Sequence, residues 1–463
     1  MKRKHKEMSR RVSILSYALL ILILFFSSCQ KEDVKPTPQV LEINEFIWKN
    51  MGEAYLWNDF IPQNIDRNKE LDPEAYFQKL LYKPADKWSF ITDDYDELIN
   101  SLKGIEKTYG HKFKLYQLPN SNNIIGIIKY VIPNSPAALA EIYRGDIFYK
   151  VNGQALNTEN FRKLLFESEG YTMSFGEFNQ NGEISFKKDK TLNAIIVAEN
   201  PIHIRNTIEF EGFKIGYLSY NQFIHDYNDS LVNAFSEFQS EGIQDLVLDL
   251  RYNPGGSVNA AILLSSLIAP SAVVENKEVF SRLIWNDEVT EYLIDNEGEE
   301  SNNLISRFVN PEVNLNLERV YILISSNSAS ASELIINCLD PYMEVILIGS
   351  ENTTGKYVGS ITINDTEANH GWALQPIVLK TANAIGNSDY SDGFTPDYRI
   401  EDDFDDALGA ITEDMLAKAI ELITGINILE NVRVGAKTIP LDIQPVTYER
   451  EQQKKNMYFN LSK

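Results

Sequence analysis

The sequence predicts an α/β protein whose main core alternates strands and helices. Three stretches carry this reading. QDLVLDLRYNPGGSVNAAILLSSLI and RVYILISSNSASASELIINCLD each begin as an apolar, β-branched strand, break at a tight turn and continue as a helix-forming run. EVILIGSENTTGKYVGS is a third strand of the same kind, ending in a loop. Apolar strands alternating with helical patterns argue for a layered α/β core.

The elements follow in order along the 463 residues. Lys2, Arg3, Lys4, Lys6, Arg10 and Arg11 precede an apolar run from Val12 to Phe26, which ends in FSSC. A basic stretch, a short apolar run and small residues predict an export signal over residues 1–28. The FSSC box resembles a bacterial lipoprotein signal, which implies Cys29 as the lipidated first residue of the mature chain; the alternative is an uncleaved anchor with an incidental cysteine. Gln30, Lys31, Glu32 and Asp33 then resemble the surface-export signal of some Bacteroidetes lipoproteins. The expected location is the outer membrane, facing the periplasm or displayed on the cell surface. Residues 29–40 read as a linker containing prolines.

Residues 41–103 are helical in pattern and rich in aromatics, with Phe46, Ile47, Tyr55, Leu56 and Trp57 spaced for one packed face. This predicts an N-terminal helical domain that caps the rest. From 104 to 199 the chain changes to short strands. GHKFKLYQ, NIIGIIKYVIPNSPAALAEIYRGDIFYKVNGQAL and TENFRKLLFES resemble a PDZ domain, with Gly145 and Asp146 before a strand that ends in an Asn152–Gly153 turn. The resemblance implies a groove that adds a peptide as an extra strand. Gly110 and Phe113 would lie at its carboxylate loop, and Phe161 and Leu165 on the helix that lines it. The alternative is a small β-domain that only packs against the core.

The core is expected over 200–426. KIGYLSYNQF is a strand of mostly alternating pattern, and DSLVNAFSEFQSEG is a helix. Ala269 to Asn316 has weak periodicity and acidic runs such as DNEGEE, and reads as a surface insertion. WALQPIVLK is a strand, and the last helix is expected over Asp405 to Thr424. Residues 427–463 form a tail with little helical register, extended or partly disordered.

The chemistry concentrates at the two strand-to-helix turns and the third loop. Ser330 stands where the strand ends and the helix begins, so that free N–H groups and the helix dipole favour negative charge beside it. The bland reading makes it an N-cap, with Glu333 three residues on completing a capping box. Asn253, Pro254, Gly255 and Gly256 set a bend that exposes backbone N–H groups, as an oxyanion hole requires. A serine needs a base, and a desolvated lysine serves in place of histidine. An ordinary lysine is about 3 units too basic at neutral pH, so holding it neutral costs roughly 4–5 kcal/mol, and only a buried site does so.

DLRYNPGG, SASASE and the TGK loop, in this order, resemble the C-terminal processing peptidases, or tail-specific proteases. The resemblance implies a crotonase-like β/α superhelix core with an inserted PDZ-like domain. It places the nucleophile on Ser330 and the base on Lys356. Ala331 and either Gly255 or Gly256 would supply the oxyanion N–H groups. Ser328 is read as a cap and Ser332 as packing. Many relatives carry a glutamine four residues after the lysine that orients it; here that position is Ser360. The loop before the lysine is also one residue longer, as GSENTTGK.

The implied function is a serine endopeptidase of the cell envelope acting on unfolded or C-terminally exposed polypeptides. A catalytically silent peptide- or ligand-binding lipoprotein on the same fold is the alternative. Composition bounds the partners. The formal charge is -23; removing residues 1–28, which carry six basic side chains and one acidic, leaves -28. So acidic a chain repels nucleic acid and anionic lipid, leaving a lipid anchor as the tether to the membrane. There is no phosphate-loop or metal-ligand spacing, and no cofactor is expected. Cys338 lies in LIINCL and is expected as a buried free thiol. The scattered His203 and His225 are the candidates for a serine–histidine pairing.

Overall fold

The computed structural model describes residues 35–431 except 180 and 369, together with 443–446 and 457–459. The export signal and Cys29 lie outside the described residues. The main sheet runs in the order 202–210, 213–220, 245–249, 319–324, 344–349, 398–399. The first pair is antiparallel and every later pair is parallel. Side chains alternate between its faces: Leu246 and Leu248 join one core with the helices Asn228–Glu241, Val258–Ile268 and Ala331–Leu339, while Val247 joins the other with the helix Asp414–Thr424. Both faces being covered explains the unbroken apolar runs. It also corrects the alternation expected of KIGYLSYNQF, because Ile215 to Tyr220 are buried without interruption. The last helix begins at Asp414 rather than near Asp405.

A second sheet stands beside the first, in the order 256–257, 457–458, 358–360, 377–382, 279–285, 305–307. It overturns the reading of Ala269 to Asn316 as a surface insertion. Val279–Trp285 pairs antiparallel with Ile377–Ala382, and Phe280 is fully buried in the main core. Ser281, equally buried, breaks the apolar pattern that would have announced this strand.

Helices Pro38–Ala54 and Pro73–Leu80 start at prolines behind capping Thr37 and Asp72, whose oxygens accept their first free N–H groups. Ile43, Ile47, Tyr76 and Phe77 close over Leu374 of the strand Ala373–Gln375. Residues 105–198 form a separate β-rich unit. Its sheet runs 111–117, 124–131, 147–151, 170–178, 184–193, with the helix Phe161–Phe166 packed on its core. Its Arg144 reaches the main core, donating to the Tyr252 hydroxyl at 2.6 Å and the Asp406 carbonyl at 2.8 Å and pairing with Asp402.

Candidate active site

Two strand-to-helix turns and one loop meet at the C-terminal edge of the main sheet. In the first, Asn253 acts as the organiser. Its side-chain oxygen accepts the Gly255 N–H at 2.8 Å, and its amide donates to the Tyr220 carbonyl at 2.8 Å. Gly255 and Gly256 have φ of 104° and 138°, a region that penalises any Cβ. At Gly256 a Cβ would also stand 2.2 Å from the Phe223 carbonyl oxygen. Below the turn, Arg251 is fully buried between Asp249 and Glu413. Burial alone would raise the Asp402 carboxyl, but Arg144 and Arg251 beside it hold it below the usual range.

In the second turn the helix begins at Ala331 with Ser330 at its N-cap position, and Ser330 adopts φ 64° and ψ -112°. A side chain rarely takes this conformation, which costs of order 1–3 kcal/mol. The Ser330 hydroxyl is fully buried and has no hydrogen-bond partner among the described residues. Ser328 does not cap the helix. It accepts the Ser325 N–H at 3.0 Å and donates to the Leu250 carbonyl at 2.8 Å, while Ser332 donates to the Asn253 carbonyl at 3.0 Å. These serines stitch the second turn to the first, helped by Ala329 N–H on the Asn253 carbonyl at 3.2 Å.

Glu333 joins the second turn to the loop. One carboxylate oxygen accepts both the Ser330 N–H and the Lys356 N–H, each at 2.8 Å; the other accepts the Gly355 N–H at 2.5 Å and the Thr353 hydroxyl at 2.6 Å. The backbones of Ser330 and Lys356 are therefore held within two hydrogen-bond lengths of each other. Burial raises the Glu333 carboxyl above its usual value, against the four hydrogen bonds that lower it. The sequence shows Glu333 only as a capping residue; nothing in it reveals the clasp.

Lys356 is fully buried, with its Nζ 6.0 Å from the centre of the Trp88 ring. Ser360 lies on the strand after it, and its hydroxyl accepts from the Gln375 amide at 3.0 Å. Gln375, fully buried, takes the Thr362 hydroxyl at 2.7 Å on its other side. A glutamine thus approaches this strand from the strand beside Phe90–Thr92, where sequence position gave no sign of it.

A cavity of about 1070 Å³ runs from Gly255, Gly256 and Asn327 to the β-rich unit. There it meets His111, Lys112, Phe113, Leu165 and Phe166. Phe113 and Leu165 line it, and Gly110, φ 85°, makes the bend that precedes them. Phe161 does not line the cavity: it points into the core of the unit, and Phe166, parallel to Phe113, takes the place at the wall. His203 and His225 do not join the site. His203 packs on Tyr130, and exposed His225 faces Asn228. Cys338 is a buried free thiol.

The model of Peptidase family S41 matches residues 214–400, and that of the Peptidase S41 N-terminal domain matches 42–90. A crystal structure of an S41 protease homologue from Bacteroides fragilis is 30% identical, with a TM-score of 0.68, over 82% of this chain and 97% of that one. The "Carboxyl-terminal-processing protease" of a Picosynechococcus species is 25% identical over 356 residues, 73% of this chain and 78% of the relative. The "Probable CtpA-like serine protease" of Staphylococcus aureus is 25% identical over 272 residues, 58% of this chain and 48% of the relative. The chain thus spans about half the length of that curated relative.

Proposed function

Because the chain belongs to peptidase family S41, we propose that it is a serine endopeptidase in which Ser330 is the nucleophile and Lys356 the base. The observation that carries this is the Glu333 clasp. One buried oxygen fixes the backbones of both residues, while the serine is held in a strained conformation with its hydroxyl uncommitted.

In acylation, Lys356 Nζ takes the Ser330 hydroxyl proton as Oγ bonds to the peptide carbonyl carbon. The ammonium formed faces the π-system of Trp88, which stabilises a cation. Negative charge on the carbonyl oxygen is met by the N–H of Ala331, which as the first helical residue has no partner in the helix ladder, and by a glycine of the NPGG turn. Gly256 is the better donor, since Asn253 already holds the Gly255 N–H. Lys356 then gives its proton to the leaving amine and activates water to release the acyl group. Ser360 and Gln375 replace the missing glutamine as the group that positions the lysine.

The unit over 104–199 acts as a PDZ domain, and its cavity leads an extended polypeptide from Phe113 and Leu165 to the NPGG turn. The substrates are unfolded or C-terminally exposed polypeptides of the cell envelope. The chain is exported, loses residues 1–28 and is lipid-anchored through Cys29, on the periplasmic or outer face of the outer membrane. Domain limits follow the sequence reading: linker 29–40, helical domain 41–103, core 200–426 and tail 427–463.

The test is mass spectrometry of unfolded casein after incubation with wild type, Ser330→Ala and Lys356→Ala. Internal cleavage by wild type alone is expected. Cleavage that persists in Lys356→Ala would remove the lysine from the mechanism, and cleavage by no form would count against the peptidase.

A further inference from the structure

The N-terminal residues reach into the half of the site that carries the lysine. The helix Pro38–Ala54 ends at Tyr55, and the chain turns there to meet the second sheet. The Leu56 N–H donates to the Ile377 carbonyl at 2.9 Å, and the Ser89 hydroxyl accepts the Ile377 N–H at 2.8 Å. Ile377 opens the strand Ile377–Ala382 and stands opposite Ser360. Both of its main-chain groups are thus taken by the N-terminal residues. Directly after Ser89, Phe90–Thr92 pairs antiparallel with Ala373–Gln375, which carries the glutamine that reaches Ser360.

Asp86 fixes the segment between these holds. It is buried, and one carboxylate oxygen accepts the Trp88 N–H at 3.0 Å and the Ser89 N–H at 2.9 Å. The other accepts the Tyr55 hydroxyl at 2.8 Å, and that hydroxyl accepts the Tyr82 N–H at 3.0 Å. Burial, with the Asp86 charge beside it, raises the Tyr55 phenol above its ordinary value, so it keeps its proton and remains the donor. What the carboxylate places is the Trp88 ring. Lys356 Nζ lies 6.0 Å from the ring centre, and the Tyr357 ring meets it edge-on at 6.4 Å. Lys356 is fully buried, whereas Trp88 is partly exposed. At this point the base is one ring away from the protein surface.

We propose that Asp86 is a positioning residue for the base and acts through Trp88, holding the indole as the cover that keeps water from Lys356. This rests on the peptidase reading above. A lysine works as a base only where desolvation disfavours its charged form. An indole suits the place, because it is apolar enough to exclude water and its π face still stabilises the ammonium once the proton arrives. Asp86 does not line the cavity, so substrate does not meet it there. Its effect travels through the segment it holds.

Casein cleavage by full-length Trp88→Ala, Trp88→Phe and Asp86→Ala, followed across pH, tests this. Water admitted to the lysine lets it keep its proton to higher pH. The acid limb of kcat/KM is therefore expected to move up by about one unit in Trp88→Ala and about half a unit in Asp86→Ala. At neutral pH kcat should fall about ten-fold or more in Trp88→Ala, with KM changed less than about two-fold. Trp88→Phe, which keeps an aromatic cover, should restore most of both. The second readout needs no proteolysis: acetic anhydride labelling of Lys356 across pH, mapped by mass spectrometry in chains carrying Ser330→Ala. The pH of half-reaction is expected to rise in Trp88→Ala and in Asp86→Ala. An acid limb and a labelling curve that stay in place in both variants would overturn the proposal, even if kcat and melting temperature fall, because Asp86 would then be structural alone. If Trp88→Ala does not fold, Asp86→Ala decides by the same two shifts. Shifted labelling with no cleavage by any form would keep the positioning role and remove the peptidase; cleavage with neither curve shifted would do the reverse.

Discussion

The two strand-to-helix turns of the site solve the same geometric problem in opposite ways. Each bends the chain sharply at the edge of the parallel sheet, and each needs a positive φ. The NPGG turn meets it with glycines at 104° and 138°, where only the backbone has work to do. The turn before Ala331 places Ser330 at 64°, and in the proposed mechanism it is the side chain that acts there. Their anchors differ as well. Asn253, a neutral amide, organises the first, and Glu333, a buried carboxylate, organises the second. The glycines meet the positive φ without strain, whereas a serine at that φ carries it.

The largest effects should come from the side chains. Ser330→Ala and Lys356→Ala are each expected to lower kcat by about 10⁴-fold or more, read by casein cleavage. Ser330→Gly should be equally inactive yet more stable than wild type by about 1–2 kcal/mol in urea unfolding, because glycine relieves the strained φ. A destabilised Ser330→Gly would break the comparison.

Next comes the backbone turn. Gly256→Ala puts a methyl group 2.2 Å from the Phe223 carbonyl oxygen, so the turn must shift and misdirect its N–H. A loss of about 10²–10³ in kcat is expected, with KM less affected. The same substitution at Gly255 should cost less kcat if that N–H belongs to Asn253 alone.

The anchors give the smallest and most diagnostic difference. Glu333→Gln turns one acceptor oxygen into a donor facing two N–H groups or an N–H and a hydroxyl, and should cost about 1–3 kcal/mol of stability. Its pH dependence follows from the raised carboxyl. Above pH 4.5 the unfolded chain has lost this proton while the native chain still holds it, so the Glu333 contribution to stability falls as pH rises through the window between the two values. That slope should be present in wild type and absent in Glu333→Gln. Nothing comparable is expected from Asn253.

What the sequence made visible tracks what is local. The strands Asp245–Asp249 and Arg319–Ile324 read correctly because burial on both faces leaves unbroken apolar runs, and both turns were marked by their residue types. Val279–Trp285 was missed because Ser281 and Arg282 interrupt its pattern. The Glu333 clasp, Trp88 over Lys356, and Gln375 on Ser360 all join residues distant in sequence, so no spacing could announce them. Phe161 and Phe166 are five residues apart on one short helix, and only packing decides which of them meets the cavity. The tail's two-residue pairings are too short to leave a period at all.

The central claim is that Ser330, and no neighbouring serine, attacks the carbonyl with the help of Lys356. Its most direct measurement is peptide mapping by mass spectrometry after brief reaction with p-nitrophenyl acetate and acid quench. An acetyl group is expected on Ser330, absent in Ser330→Ala and in Lys356→Ala. Acetylation of Ser328 or Ser332 instead, or of Ser330 undiminished in Lys356→Ala, would contradict it.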